Sequence, residues 1–116
     1  MKSLIIIAHG SKLSTSNQEI IDLSINISKN SDLNIEYAFL EFAQPNLIQS
    51  ITNCINKGAT EISVFPYFLA RGKHVKFDIP DIIKEQSKVN PDIKISLMEH
   101  FGKLQGIEKL ILENCE

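Results

Sequence analysis

The stretch Leu4-Ile5-Ile6-Ile7-Ala8-His9-Gly10-Ser11 sets an uninterrupted apolar run against three residues of a different character. A short run of branched side chains with no polar alternation fits a strand buried on both faces, as in a parallel sheet. Parallel strands need crossover connections, so helices should separate this strand from its successors. The chain obliges. Ser16-Asn17-Gln18-Glu19 reads as a capping box, and Ile20, Leu23 and Ile27 continue it at helical spacing to about Lys29. Ile35 to Leu40 is a second strand with Ile35, Tyr37 and Phe39 on one face. Pro45 suits the first turn of a second helix carrying Leu47, Ile48, Ile51, Cys54 and Ile55, which Gly58 ends.

Ile62 to Phe65 follows as a third strand closed by Pro66, then a loop to about Phe77. Pro80 opens a third helix with Ile82 and Ile83. Ile93 to Met98 alternates apolar and polar residues, as an edge strand with one wet face does. Gly102 to Asn114 is expected as a last helix with Leu104, Ile107 and Ile111 inward. The βαβαβαβα order predicts an α/β fold: one three-layer domain over residues 1–116, with a four-stranded parallel sheet and right-handed helical crossovers.

Composition narrows the partners. Of 116 residues, 43% are hydrophobic and 22% charged, the balance of a globular domain. Lys+Arg 12 against Asp+Glu 14 gives a formal charge of -2, which excludes the broad basic surface of a nonspecific nucleic-acid binder. The apolar run at the start stops at His9, too short for a signal core or a membrane span, so a cytoplasmic protein is expected. Cys54 and Cys115 form no CxxC pair and read as a core thiol and a tail thiol.

Ligands of open parallel sheets bind beyond the carboxyl ends of the strands. That rim should carry His9-Gly10-Ser11 after the first strand, Glu41 after the second, Tyr67 to His74 after the third, and Glu99-His100 after the fourth. All three histidines fall in these expected loops. His9, His74 and a carboxylate suit a divalent first-row transition metal. Two imidazoles with open positions favour a transferred or catalytic ion over a structural one. Arg71, Lys73 and Lys76 flank His74 and would attract a carboxylate-rich ligand. Aromatics near the rim, Phe68 among them, could wall a pocket for a flat ligand. Gly72-Lys73 lacks the first glycine and the Ser/Thr of a P-loop, no G-x-G-x-x-G follows the first strand, and no G-x-S-x-G is present. No nucleotide cofactor is expected.

Four pieces in order resemble the small sirohydrochlorin chelatases, the short class II cobalt, nickel or iron chelatases. They are Ala8-His9-Gly10-Ser11; Phe39-Leu40-Glu41 with Pro45; Val64-Phe65-Pro66-Tyr67-Phe68-Leu69; and Gly72-Lys73-His74-Val75 with Asp78-Ile79-Pro80. The resemblance implies insertion of Co²⁺, Ni²⁺ or Fe²⁺ into sirohydrochlorin without nucleotide hydrolysis. It places the metal-site histidines on His9 and His74, and the acidic residue, base or ligand, on Glu41. Ser11, Lys12, Arg71, Lys73 and Phe68 become candidate substrate contacts, Asp78 a supporting residue and His100 an outer-shell one. Longer family members hold two such halves around one cleft. This chain then supplies one chelatase-like half, and the implied assembly is a homodimer. Two rival readings use the same residues: a metal-binding protein or metallochaperone without catalysis, and a phosphoryl-transfer enzyme with His9 as nucleophile. The second lacks the arginine expected before His-Gly, where Ala8 stands.

Overall fold

A computed structural model describes residues 1–115. Its elements alternate as expected: β1 (Lys2–Ala8), α1 (Ser14–Ser28), β2 (Asn34–Phe39), α2 (Leu47–Asn56), β3 (Glu61–Pro66), α3 (Ile79–Val89), β4 (Lys94–Leu97) and α4 (Ile107–Cys115). The four strands form one parallel sheet in the order β2-β1-β3-β4. The apolar run of β1 thus lies in the middle, with Ile5, Ile6 and Ile7 fully buried, and β4 is an edge. Right-handed crossovers in this order put α1 on one face and α2 and α3 on the other.

The main core lies on the α2/α3 face. Ile5 and Ile7 meet Val64, Ile62, Leu47, Ile51, Ile79 and Ile83 there. Two polar contacts fix α2 over β2: Ser50 Oγ donates to the Tyr37 carbonyl, and Lys57 Nζ donates to Glu36 at 2.6 Å. The opposite face is thinner. In α1 only Ser24 is buried, and Ile20, Leu23 and Ile27 are half-buried.

Local boundaries differ from expectation where side chains serve other partners. Helix α1 begins at Ser14, two residues before the expected capping box, and has no side-chain cap. Asn17, free of that duty, holds the preceding loop (below). Pro45 lies just outside α2, whose cap is Asn46 in a reciprocal capping box with Gln49, and Ile48 is exposed. The expected loop before Pro80 is instead a π-helical turn over His74–Asp78 that runs directly into α3. Pro80 has no N–H to donate to the residue four back, so a widened turn there forfeits no α-helical bond.

The last helix departs most. Its residues are nearly all exposed, with Ile111 62% and Leu104 37% accessible, so the expected inward packing of Leu104 and Ile111 is absent. A 3-10 turn at Phe101–Lys103 and Gly106, at φ 94°, come between it and the sheet. Among the described residues no helix is long and apolar enough to cross a membrane.

Cys54 is fully buried and Cys115 exposed. Burial pushes the Cys54 thiol from 9.0 up to about 11. At pH 8 a maleimide should label only Cys115 in the native protein and both thiols in guanidinium, read by intact mass. Because only the unfolded thiol ionises between pH 9.0 and about 11, stability should fall as pH rises through that window. Equal labelling of both thiols in the folded protein would contradict this packing.

Candidate metal and macrocycle site

The β1–β2 ladder does not stop at the strand ends. Leu40 N–H donates to the Ala8 carbonyl at 3.0 Å, and Glu41 N–H donates to the His9 carbonyl at 2.9 Å. The strand register, continued, sets Leu40 opposite His9 and Glu41 opposite Gly10, and from there Glu41 Oε2 reaches to 3.3 Å from His9 Nε2. The rung depends on Gly10. A Cβ there would stand 1.9 Å from the Glu41 carbonyl oxygen, and its φ of +92° suits glycine alone. Asn17 braces the next residue from α1, accepting from Ser11 N–H at 2.9 Å and donating to the Ser11 carbonyl at 2.8 Å.

His74 arrives from the other side of β1, on the π-turn that follows β3. Its ring centroid is 5.3 Å from that of His9, with the planes tilted by 51°. Asp78 Oδ2 lies 2.6 Å from His74 Nδ1, one turn along the same helix. A carboxylate at Nδ1 fixes the tautomer that donates there and leaves the Nε2 lone pair for a ligand. His9 is arranged alike: Nδ1 lies 3.2 Å from the Gly10 carbonyl, which can accept its proton. In that tautomer the Nε2 lone pair of His9 faces the Glu41 carboxylate, two electron-rich groups that call for a cation between or beside them. A proton or a divalent metal ion satisfies both. Among the described residues no group of three or more His, Cys, Asp or Glu side chains is placed to hold a metal ion. The convergence is pairwise, His9 with His74 and His9 with Glu41.

The other sequence candidates divide. Ser11 is committed to the loop: besides the Asn17 clamp, its Oγ accepts from Leu13 N–H at 3.0 Å. Lys12 Nζ stands 5.4 Å above the ring of Phe42. Arg71 and Lys73 are exposed beside His74, at the start of the π-turn. Phe68 is half-buried against the core and lines a hollow of about 250 Å³ with Tyr67, Leu69 and Phe101. His100 is buried at the end of β4 with its Nδ1 unpaired, and the π-turn takes His74 out of the loop class expected for it.

Phe42 is one of the aromatics expected near the rim, but its backbone conformation is not. It is 57% exposed, sits edge-on to His9 at 6.4 Å, and has a φ of 66°. A β-carbon in the left-handed region costs on the order of 1 kcal/mol, so the neighbouring structure must hold it there. Nothing in Glu41-Phe42-Ala43 signals that conformation. A cavity of about 590 Å³ between Glu36, Tyr37, Pro45 and Asn53 contains none of the histidines. The histidine face of the single chain is open.

A family model described as CbiX matches residues 3–116. The chain belongs to the CbiX family. It is 31% identical over 97% of its length to a sirohydrochlorin ferrochelatase of Priestia megaterium, and 30% identical over 100% to a sirohydrochlorin cobaltochelatase of Sulfolobus acidocaldarius. Among solved structures it superposes on the sirohydrochlorin chelatase SirB of Bacillus subtilis subspecies spizizenii, in complex with cobalt, with a TM-score of 0.86, 26% identity and 98% of this chain covered. The chain spans 43% of the Priestia relative, 49% of SirB and 91% of the Sulfolobus relative.

Were Nε2 of His74 a metal donor, Asp78 at its Nδ1 would orient that donor without touching the ion. Asp78→Ala should weaken Co²⁺ binding by about 10- to 100-fold while leaving the melting temperature close to wild type. Calorimetric titration measures the first and thermal unfolding the second. Unchanged cobalt affinity would remove Asp78 from this role.

Proposed function

We propose that this CbiX chain inserts a divalent metal, cobalt, nickel or iron, into sirohydrochlorin without nucleotide hydrolysis. It does so as one chelatase-like half, residues 1–116, paired with a second copy across a shared cleft. The observation that carries the reading is the meeting of His9, His74 and Glu41 on one rim, with rings 5.3 Å apart and the carboxylate 3.3 Å from His9. The chelatase names of its relatives supply the substrate class. The open histidine face and the half-length match to SirB support the pairing. The soluble chelatase reading fits a cytoplasmic location.

The chemistry divides between the residues. The metal ion is a substrate, held loosely by the Nε2 lone pairs of His9 and His74, so that it can be surrendered to the macrocycle. Two pyrrole N–H protons must leave as the metal enters, and an imidazole lone pair occupied by metal cannot take one. Glu41 is the group on this rim left to accept a proton, and it stands beside the ion's ligand. Free tetrapyrrole is slow because the ring must pucker to present its lone pairs to the metal. Holding the ring in a bent form moves it toward the transition state. Phe42, exposed next to His9, offers an edge for the macrocycle, and Lys12, Arg71 and Lys73 attract its carboxylates.

The test is turnover. Protein, sirohydrochlorin and Co²⁺ are mixed anaerobically and the absorbance change is followed. His9→Ala and His74→Ala should each remove most of the acceleration. Glu41→Gln should lower kcat by about 100-fold or more with cobalt affinity changed far less. Phe42→Leu should raise KM more than it lowers kcat. A wild-type rate equal to the protein-free rate would leave a metal binder without catalysis.

A further inference from the structure

The peptide unit between Gly10 and Ser11 lies in the turn behind His9, and both of its ends are occupied. Its N–H, on Ser11, donates to Asn17 Oδ1 at 2.9 Å. Its carbonyl, on Gly10, lies 3.2 Å from His9 Nδ1. The peptide is trans and planar, so its N–H and C=O point in opposite directions. Whatever holds the N–H therefore also aims the carbonyl. A carbonyl oxygen only accepts, so the bond to His9 exists only while Nδ1 carries the ring proton. That tautomer leaves the lone pair on Nε2, the atom 3.3 Å from Glu41 Oε2.

The backbone by itself does little to stop this peptide from turning over. Gly10 sits at φ +92°, and a peptide beside a glycine rotates at small steric cost. The Glu41 bond holds the His9 carbonyl, which belongs to the preceding peptide. Ser11 Oγ accepts from Leu13 N–H and steadies the residues that follow. Asn17 alone takes the Ser11 N–H. Its second arm, Nδ2 donating to the Ser11 carbonyl at 2.8 Å, fixes the next peptide along. One planar amide thus grips Ser11 at both backbone groups.

The reach of Asn17 follows from its place in α1. It is half-buried at the end of the first turn of a helix that starts at Ser14. Side chains there lean back toward the helix start, and so toward the loop. An asparagine near a helix start commonly serves as its cap. Here the cap position is Leu13, with no side-chain cap bond, and the amide serves the loop instead. His74 has a carboxylate of its own helix at Nδ1, Asp78 at 2.6 Å. His9 has a peptide carbonyl in that place, and Asn17 holds that peptide.

We propose that Asn17 is a positioning residue of the metal site. By holding the Gly10–Ser11 peptide it keeps the His9 proton on Nδ1, and so keeps Nε2 free for the ion. This rests on the metal role proposed for His9 above and extends the support of the site into α1.

Nitrogen-15 NMR of the metal-free full chain at about pH 9, above the ordinary imidazole range, reads the tautomer directly. Protonated and unprotonated ring nitrogens differ widely in shift, and the His9 signals are those lost in His9→Ala. In wild type the proton should sit on Nδ1 of His9. In Asn17→Ala it should pass largely to Nε2, with the His74 signals unmoved and the circular dichroism of the folded chain retained. Co²⁺ binding by calorimetry should weaken about tenfold. Asn17→Asp keeps an acceptor for the Ser11 N–H and should keep the wild-type tautomer. If Asn17→Ala does not fold, Asn17→Ser, polar but shorter, takes its place with the same expectation. A His9 tautomer unchanged in folded Asn17→Ala or Asn17→Ser would overturn the assignment, as would a wild type already protonated on Nε2. Loss of the tautomer in Asn17→Asp to the same extent as in Asn17→Ala would overturn it too, and so would a changed tautomer with unchanged cobalt affinity. Sirohydrochlorin turnover by the wild type, measured on the same preparation, judges the chelatase reading separately. Turnover with an unmoved tautomer removes Asn17 alone, and a tautomer that moves as expected without turnover removes catalysis and leaves Asn17 in place.

Discussion

The site depends on one hydrogen bond, from Glu41 N–H to the His9 carbonyl, which continues the β1–β2 ladder past the strands. The strand register alone would pair His9 with Leu40, so it is this bond together with the turn at Gly10 that brings the Glu41 carboxylate to the imidazole. Gly10 makes room for it, since no side chain fits between the turn and the Glu41 carbonyl. Asn17 closes the loop behind by holding both backbone groups of Ser11. The buried β1 run is therefore the foundation of the chemistry as well as of the core. A rigid strand end aims His9, and the neighbouring strands deliver Glu41 and the His74 turn on either side of it.

The second imidazole is positioned by different means. His74 and Asp78 sit one turn apart on a helix widened to the π form, and their 2.6 Å contact orients the ring. Both histidines thus have an oxygen near Nδ1, a backbone carbonyl for His9 and a carboxylate for His74. The two oxygens differ in charge, so the two rings need not bind an ion equally strongly. His74 has the more basic support and His9 the neighbouring acid. That asymmetry suits the proposed transfer of a metal ion.

Much of this was legible in the sequence because it follows from burial. The central strand reads as a continuous apolar run and the edge strand β4 as alternating, so element order and the place of β4 follow from periodicity, while the position of β2 at the other edge does not. The rim rule for parallel sheets gathers His9, Glu41 and His74 from their places after the strands. What escaped has specific causes. The capping box expected at Ser16–Glu19 does not form because α1 already starts at Ser14, which puts Ser16 inside the helix. The π-turn was hidden because helix signals start at proline, and the widened turn lies before it. The left-handed Phe42 carries no marker, since glycine or asparagine would normally announce that conformation. Helix α4 shows the limit of periodicity. Its apolar stripe predicts inward packing, yet Leu110, Ile111 and Leu112 are exposed.

The central claim is that both imidazoles meet one metal ion. X-ray absorption on the cobalt-loaded chain, at one Co²⁺ per chain, counts them directly. The account predicts two imidazole ligands per cobalt in the wild type and one in either His9→Ala or His74→Ala. A cobalt shell with no more than one imidazole in the wild type, unchanged in either variant, would contradict it.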